Sequence, residues 1–145
     1  MKADMSEITE AILGLERASN DRWNRGDYYG FLDNYSEDMT YFDPLTEKLL
    51  VGRKAVEEHF EHFYKGVAIV RSEYLNEYVT VSDGSDLAVL SYNLRNYVVD
   101  EGNGEKCAAA WNSTEVYRLV DGQWRIVHSH WSLTRHPAIV AKRTA

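Results

Sequence analysis

The stretch that decides the fold is EVYRLVDGQWRIVHSHWS, residues 115–132. Two runs rich in β-branched and aromatic residues flank the pair Asp121-Gly122, and this arrangement predicts a β-hairpin. Two further turn signals stand upstream, SDGSD at 82–86 and EGNG at 101–104. Turn signals that recur between long β-prone runs are typical of an antiparallel meander, so the C-terminal half is predicted to form a sheet.

Four strands are predicted in this half, and no helical pattern interrupts them, so all of them are expected to pair antiparallel. They cover residues 67–81, 87–100, 105–120 and 123–133. The longest of these runs reach 14–16 residues, more than twice the common strand length of about 5–6 residues. Strands that long twist and bend, which gives the sheet a concave face.

Helical patterns precede the strands. A capping signal at Asp4 and apolar residues at helical spacing predict a helix to about Arg25, which Gly26 ends. A short second helix, a brief strand with the sequence MTYFDP, a loop over 45–52 and a third helix to about Tyr64 follow. We therefore predict an α+β fold with a cone-shaped, curved antiparallel sheet. Three N-terminal helices cover part of its concave face, and the uncovered part forms a pocket.

The bulk composition narrows the class of protein. A chain of 145 residues has the size of one domain, expected here to span residues 1–145 with a core of about 6–134. Its net charge of −7 disfavours nucleic acid as a partner. The single cysteine, Cys107, allows no internal disulfide. No signal peptide or run of about 18 apolar residues is present, so we expect no membrane partner and a cytoplasmic location.

Four motifs resemble the nuclear transport factor 2-like superfamily, which includes SnoaL-like and ketosteroid isomerase-like proteins. They are NRGDYYGFLDNYSEDMTYFDP (24–44), LLVG (49–52), LRNYVVDEGNG (94–104) and DGQWRIVHSHWS (121–132). Within this superfamily the chain looks most like the association (hub) domain of calcium/calmodulin-dependent protein kinase II. The resemblance implies a conical α+β fold, a pocket between sheet and helices, and self-association through the outer face of the sheet. A homodimer or a larger ring is therefore expected.

The hub pocket is lined by arginines, and the resemblance transfers three of these positions to the present chain. Arg95 keeps the arginine, whereas Glu115 and Trp131 depart from it. The resemblance therefore implies a pocket in the same place with a different charge. Kinase activity is not implied, because the chain has no Gly-rich loop and no HRD or DFG triplet.

Seven residues are the candidates for ligand binding: Arg95, Glu115, Tyr97, Trp111, Trp131, Tyr41 and Asp43. Arg95 is either an anion anchor or a structural ion-pair partner, and strand counting places it opposite about residue 110. Asp43 is either a base with a raised pKa in an apolar cavity or a turn residue before proline. The aromatic residues either line a cavity or fill the core.

Because side chains alternate along a strand, the length of the turn decides which face of the sheet His128 and His130 occupy. A two-residue loop, Asp121-Gly122, puts Glu115 opposite His128 and the histidines in the pocket. A three-residue loop that adds Val120 puts them on the outer face. The hub resemblance places positions 115 and 131 on one face, which favours the second alternative.

Metal binding by His128-x-His130 would need a third ligand, which the sequence does not place nearby, so no metal is predicted. The two rings are expected to pack in the sheet and to bond Thr114 or Asn112. Cofactor motifs and nucleophile constellations are absent, and no cofactor is predicted.

Two functions remain. The first is an oligomerising domain that binds a small organic ligand, with an anion among the candidates. Its contact surface would include Asn96, Asn112, Thr114, Val116, His128 and His130. The second is a small cofactor-free isomerase, cyclase or dehydratase. There Asp43 or Glu115 is the base, and Tyr97 and Arg95 stabilise negative charge.

Overall fold

The computed structural model describes residues 4–102 and 104–135. The elements in chain order are α1 (Met5–Asn24), α2 (Tyr29–Leu32), β1 (Tyr35–Phe42), β2 (Leu50–Val51), α3 (Arg53–Phe63), β3 (Arg71–Val81), β4 (Leu87–Val99), β5 (Glu105–Val120) and β6 (Gln123–Leu133). The strands form one sheet in the order β2-β1-β6-β5-β4-β3. Three helices before a meander confirm the predicted α+β class.

Helix α1 begins and ends as its sequence predicts. The Asp4 carboxylate accepts a hydrogen bond from the Ser6 amide at 3.0 Å, which caps the first turn. Gly26 adopts φ +90° directly after the helix, a conformation that favours glycine. Ile8 and Ile12 are buried on the face that packs against the sheet. Among the described residues, no helix is both long and apolar enough to cross a membrane.

The short helix α2 lies very close to α1 because of Gly30. A Cβ atom at this position would stand 2.7 Å from the Ser19 carbonyl oxygen and 2.6 Å from the Arg22 Cβ. Only glycine fits this approach, which brings the buried Phe31 and Leu32 under α1.

The sheet is mixed, which differs from the all-antiparallel prediction. Strands β3 to β6 pair antiparallel as predicted. Strand β1 pairs parallel with β6, with Thr40 opposite His128 and Phe42 opposite His130. The chain leaves β1 through β2 and α3 and re-enters the sheet at the opposite edge with β3, so β1 ends up beside the last strand. A short strand, β2, also stands where a loop was predicted.

Bulges bend the long strands around the helices. Register shifts occur on β3 after Leu75, at the β4–β5 pair after Asn96, and at the β5–β6 pair between Val116 and Tyr117. Each bulge adds local twist and curvature. Leu90 and Leu94 of β4 point into the resulting hollow and belong to the buried core.

The Asp121-Gly122 turn is shorter than the three-residue loop favoured from the sequence, but His128 and His130 still lie on the predicted outer face. Both residues have positive φ, +50° and +79°, and Val120 pairs with Gln123, so the loop has two residues. A bulge on β6 then shifts the pairing, and Glu115 lies opposite Ser129. The bulge, and not a longer loop, places Glu115 and Trp131 on one face and the histidines on the other.

Candidate functional site

A cavity of about 160 Å³ lies between the concave face of the sheet and the helices. More than half of the residues that line it are aromatic, and they come from α1, α2, α3 and the sheet. The aromatic residues are Trp23, Phe31, Tyr35, Tyr41, Phe60, Tyr64, Trp111 and Trp131. The other lining residues are Asn20, Asp43, Val67, Ile69, Leu94, Asn96 and Ala109. The cavity therefore has the lining of a site for a flat, largely apolar molecule.

The aromatic rings hold one another edge to face. Trp111 and Trp131 stand perpendicular with ring centroids 5.9 Å apart. Trp23 packs against Phe60 at 5.0 Å and against Tyr64 at 5.2 Å. Edge-to-face contacts of this kind stabilise the walls beyond simple burial. The lining is thus shaped before any ligand binds.

Asp43 is the charged side chain in the cavity wall, and four donors surround its carboxylate. Oδ2 accepts hydrogen bonds from the Tyr41 hydroxyl at 2.9 Å and the Tyr64 hydroxyl at 2.8 Å. The same oxygen lies 2.8 Å from His59 Nε2. Oδ1 accepts the backbone amide of Leu45 at 2.8 Å. The Asp43 side chain is only 1% exposed, so these donors replace its water.

The tyrosines around Asp43 keep their protons. Burial, followed by the neighbouring charge of Tyr35 and Asp43, raises the pKa of Tyr41 well above its ordinary value. Burial and then the Asp43 carboxylate also raise the pKa of Tyr64. The two hydroxyls therefore stay donors to Asp43 across the physiological pH range. Asp43 caps the 43–46 turn, which is one of the two alternatives that the sequence left open, and its side chain also lies in the cavity wall.

A second polar cluster lies in the core behind the cavity. Glu16 of α1 and Glu115 of β5 are 1% and 0% exposed. Glu16 accepts hydrogen bonds from the Tyr117 hydroxyl at 2.5 Å and the Tyr92 hydroxyl at 2.6 Å. Glu115 Oε1 accepts the Ser129 hydroxyl, and its carboxyl group lies near that of Glu16.

Burial raises the pKa of both carboxyl groups, and the charge of Glu16 raises the pKa of Glu115 further. Two carboxylates this close cannot both ionise in a buried site. If Glu16 and Glu115 are both ionised, each can only accept hydrogen bonds, and Glu115 Oε2 then has no partner among the described residues. A proton on Glu115 removes that deficit, because the carboxylic acid then donates to Glu16. Glu115 was predicted to bind ligand, but it stands outside the cavity lining.

This cluster supports the cavity through residues that belong to both. Trp131 lines the cavity and donates its indole N–H to Ser129 Oγ at 2.9 Å. Asn20 also lines the cavity and donates to the Tyr92 hydroxyl at 3.1 Å. The carboxyl pair therefore fixes the orientation of cavity-wall side chains without touching the cavity.

Arg95 and Tyr97 do not line the cavity, which corrects the prediction. The Arg95 side chain is 52% exposed, and its guanidinium lies 3.4 Å from Glu73. The Tyr97 hydroxyl donates to the same carboxylate at 3.3 Å. Leu94 and Asn96 take the inward positions of β4 instead. If Arg95 pointed inward, Leu94 would face solvent and an unpaired guanidinium would be buried. The observed orientation of β4 is therefore strongly favoured.

The same strand alternation moves Asn96 from the outer face, where it was predicted, into the cavity wall. Arg95 lies opposite Ala110, which confirms the position obtained by counting along the strand. The inward placement of Tyr41, Asp43, Trp111 and Trp131 agrees with their proposed role as ligand contacts.

The histidines lie on the convex face of the sheet. His128 Nδ1 lies 2.7 Å from Thr40 Oγ1, and the His130 ring centroid lies 5.1 Å from that of Phe42. The predicted partners were Thr114 and Asn112, but the parallel strand β1 supplies the hydrogen bond instead. Burial and the neighbouring His130 lower the pKa of His128. No cluster of three or more His, Cys, Asp or Glu suited to a metal ion occurs within residues 4–102 and 104–135.

The sequence prediction missed Glu16, Asn20, His59 and Tyr64. Glu16 stands four residues after Ile12, on the buried stripe of α1, so a polar residue on an apolar face was the available signal. Asn20 follows at the same spacing. No signal in the sequence connects His59 or Tyr64 to Asp43, because the three meet only when α3 packs on β1.

Comparison with known families identifies the chain over most of its length. The sequence pattern of the calcium/calmodulin-dependent protein kinase II association domain matches residues 8–135. No curated protein is similar enough to count as a relative.

Solved structures share the fold. A candidate ketosteroid isomerase from Parabacteroides distasonis is 28% identical, with a TM-score of 0.77 over 94% of this chain and 96% of that chain. The association domain of the C. elegans kinase is 22% identical, with a TM-score of 0.74 over 88% and 96%. A nuclear transport factor 2-like protein of unknown function from Pseudomonas putida is 22% identical, with a TM-score of 0.75 over 99% of both chains.

Proposed function

Because the chain belongs to the calcium/calmodulin-dependent protein kinase II association-domain family, we propose that it is a self-associating domain that binds a small flat organic molecule. The observation that carries the ligand half of the proposal is the preformed aromatic cavity between sheet and helices. Its volume of about 160 Å³ is close to that of engineered apolar cavities of about 150 Å³ that bind benzene. A ligand with one substituted ring is therefore the expected size.

The charge of the cavity favours a neutral ligand over the anion considered from the sequence. Arg95, the expected anchor for an anion, points away from the cavity and pairs with Glu73. Within residues 4–102 and 104–135 the lining contains no lysine or arginine, and its charged member, Asp43, is acidic. An anion placed here would be desolvated beside a carboxylate with no cation to compensate it.

Ligand binding can be tested with a pair of substitutions on adjacent residues of β5. Ala109 lines the cavity, whereas Ala110 pairs with Arg95 on the opposite face. Ala109→Phe should fill the cavity and abolish the binding of single-ring compounds, measured by the quenching of tryptophan fluorescence. Ala110→Phe, which adds the same volume on the other face, should leave the binding unchanged. Equal binding by both variants would rule out this cavity as the site.

Self-association through the convex face is the other half of the proposal. Two relatives with the same fold are an association domain from C. elegans and a hub homology domain from Chlamydomonas reinhardtii. The convex face of this chain carries polar side chains that bond laterally across strands. Asn93 Nδ2 donates to Asn112 Oδ1 at 2.8 Å, and Asn112 Nδ2 donates to Ser132 Oγ at 3.2 Å. A second copy is the proposed partner of this surface.

Native mass spectrometry tests this assembly. The wild-type chain should appear as a dimer or a larger ring. Val116→Glu adds a charge in the middle of the convex face, next to the half-buried His128, and should release monomers. Glu10→Lys changes an exposed charge on α1 and should leave the assembly intact. A wild-type chain that stays monomeric at all concentrations would contradict the proposal.

The Asp43 cluster supports a second candidate, a cofactor-free isomerase, cyclase or dehydratase. Asp43 faces the cavity beside Tyr64, and a structural neighbour is a candidate ketosteroid isomerase. In such an enzyme the Asp43 carboxylate would take a proton from a carbon next to a carbonyl group, and a neighbouring hydroxyl would stabilise the enolate.

Four hydrogen bonds already occupy this carboxylate and leave it little room to approach a substrate proton, so ligand binding is the better supported function. Exchange of deuterium from D2O into small cyclic ketones, followed by mass spectrometry, distinguishes the two. Exchange by the wild-type chain that Asp43→Asn abolishes would establish the enzyme, and exchange no faster than in buffer would exclude it for these ketones.

A further inference from the structure

Within the proposed ligand-binding function, on which this inference rests, we propose that the ligand carries a neutral hydrogen-bond acceptor, such as a carbonyl group, that the amide of Asn96 binds. Asn96 is 6% exposed and lines a cavity whose walls are otherwise largely aromatic or aliphatic. On β4 and β5 its neighbours in the cavity wall are apolar, because Leu94 precedes it on the same face and Ala109 lies opposite. A polar group placed there has a strong effect on which ligand fits.

A relay of two hydrogen bonds sets the direction of the Asn96 amide. Asn24, the last residue of α1, donates from Nδ2 to Ser72 Oγ at 2.8 Å. Ser72 has one hydroxyl proton, which it donates to Asn96 Oδ1 at 2.8 Å. The amide oxygen of Asn96 is therefore occupied, and its Nδ2 group is the end that remains. A donor is thus presented to the cavity.

The Asn96 amide group has no partner for Nδ2 among the described residues. The other amide in the wall, Asn20, already uses its nitrogen for the Glu16 carbonyl and the Tyr92 hydroxyl. Asn96 Nδ2 is not one of the sealed, unpaired atoms of the core, so it remains accessible from the cavity. A ligand that fills the cavity without an acceptor would cut this N–H off from water, which is unfavourable, whereas a ligand oxygen that accepts it avoids that cost. The site should therefore discriminate against ligands of the same shape that lack the oxygen.

The acceptor should be uncharged. In the described part of the chain the cavity lining holds the Asp43 carboxylate and no lysine or arginine, so a carboxylate ligand would bring a second negative charge into a largely apolar space. A carbonyl oxygen accepts the same hydrogen bond without that repulsion. Aryl ketones and related single-ring carbonyl compounds combine this acceptor with the flat ring that the aromatic walls fit.

The experiment compares two probes of nearly identical shape by isothermal titration calorimetry. Acetophenone has a carbonyl oxygen where α-methylstyrene has a methylene group. The wild-type chain should bind acetophenone more tightly by at least about fivefold, the lower limit expected for leaving a buried donor unpaired. Benzoate should bind more weakly than acetophenone.

Variants assign the preference to Asn96. Asn96→Leu keeps the number and branching of the side-chain heavy atoms but removes the amide, and it should make the two affinities equal. Asn93→Leu, the same change on the convex face of the same strand, should keep the wild-type preference. Equal binding of both probes by the wild-type chain would overturn the role of Asn96 and leave ring binding intact. A stronger affinity for aniline than for acetophenone would show that the amide points the other way and would also overturn it. Failure of all probes to bind would overturn the proposed ligand-binding function itself.

Discussion

At the scale of single residues, the Glu16–Glu115 pair places two carboxyl groups inside the core. Both carboxyl groups are withdrawn from water, and the groups that hydrogen-bond them are neutral hydroxyls from tyrosine and serine. A buried carboxylate is tolerated when it accepts several hydrogen bonds, as Glu16 does. A second carboxylate beside it is not, so the pair holds one proton and the cluster carries a single negative charge.

The first prediction is that this pair makes folding stability depend on pH. The pKa of Glu115 is raised in the folded state, so the folded chain keeps a proton that the unfolded chain releases above about pH 4.5. The contribution of this proton to the free energy of unfolding is therefore fully present below that pH, and it is lost as the pH rises through the folded-state pKa of Glu115. Glu115→Gln, which imitates the protonated acid, should flatten this decline.

Urea unfolding at several pH values between 5 and 9 measures the effect. At the alkaline end, Glu115→Gln should be more stable than the wild-type chain by about 1–3 kcal/mol, the usual cost of a buried polar group that lacks its partner. Glu10→Gln, on the exposed side of α1, should follow the wild-type curve. Parallel curves for wild type and Glu115→Gln would show that the two carboxyl groups do not share a proton.

Single-residue placement is also where prediction from sequence reached its limit. The resemblance to the hub domain directed attention to Arg95, but the inward positions of β4 belong to Leu94 and Asn96. An error of one residue reverses the face of every side chain on a strand. Glu16 was missed because a charged residue in a helix is normally assigned to the solvent side, and only its tyrosine partners, far along the chain, make its burial possible.

At the scale of elements, close packing of α1 against α2 determines where the helical layer sits. Gly30 allows this contact, since its Cα faces the Ser19 carbonyl and Arg22 without a side chain between them. The contact brings Phe31 next to Trp131, with ring centroids 6.1 Å apart, and so closes one wall of the cavity.

The second prediction compares two glycines in helices. Gly30→Ala should destabilise the chain by about 1–3 kcal/mol, because a Cβ atom would collide with backbone and force α2 outward. Gly14→Ala should stabilise it by about 0.5–1 kcal/mol, since Gly14 lies inside α1 with no atom within 4 Å of the added Cβ. Thermal unfolding gives both values. A neutral effect of Gly30→Ala would show that the two helices tolerate a wider separation.

The elements themselves were largely predictable, because their signals are local. The four long strands, the turn at Asp121-Gly122, the Asp4 cap and the three helices all follow from residues close together in the chain. The bulge on β6 and the parallel pairing of β1 with β6 do not. Both depend on which distant strand lies alongside, and that is decided by the packing of the whole sheet.

At the scale of the whole molecule, the curved sheet places the two halves of the proposed function on its two faces. The concave face, under the helices, holds the aromatic cavity and the carboxyl pair. The convex face presents a row of polar side chains together with His128 and His130. A ligand and a second copy of the chain would therefore bind on opposite sides of the same strands, which makes each sensitive to the register that the bulges set.

The third prediction is that self-association weakens in acid. In a two-fold interface each copy presents the same surface, so protonation of His128 on both copies would bring like charges together. The pKa of His128 is lowered by burial and by His130, which means that the folded chain favours the neutral ring. The stabilising contribution of the neutral His128 ring is fully present above the ordinary histidine pKa of about 6.5. It is lost as the pH falls through the lowered pKa of His128.

Sedimentation velocity at pH 7.5, 6.5 and 5.5 should show the shift from oligomer towards monomer. A chain with both His128→Gln and His130→Gln should keep its oligomeric state over this range, because the substituted side chains cannot acquire charge. His62→Gln, an exposed position on α3, should dissociate like the wild-type chain. If the histidine-free chain still dissociated in acid, the charge that disrupts the interface would have to come from another part of the surface, and the convex face near Thr40 and Phe42 would no longer be the contact.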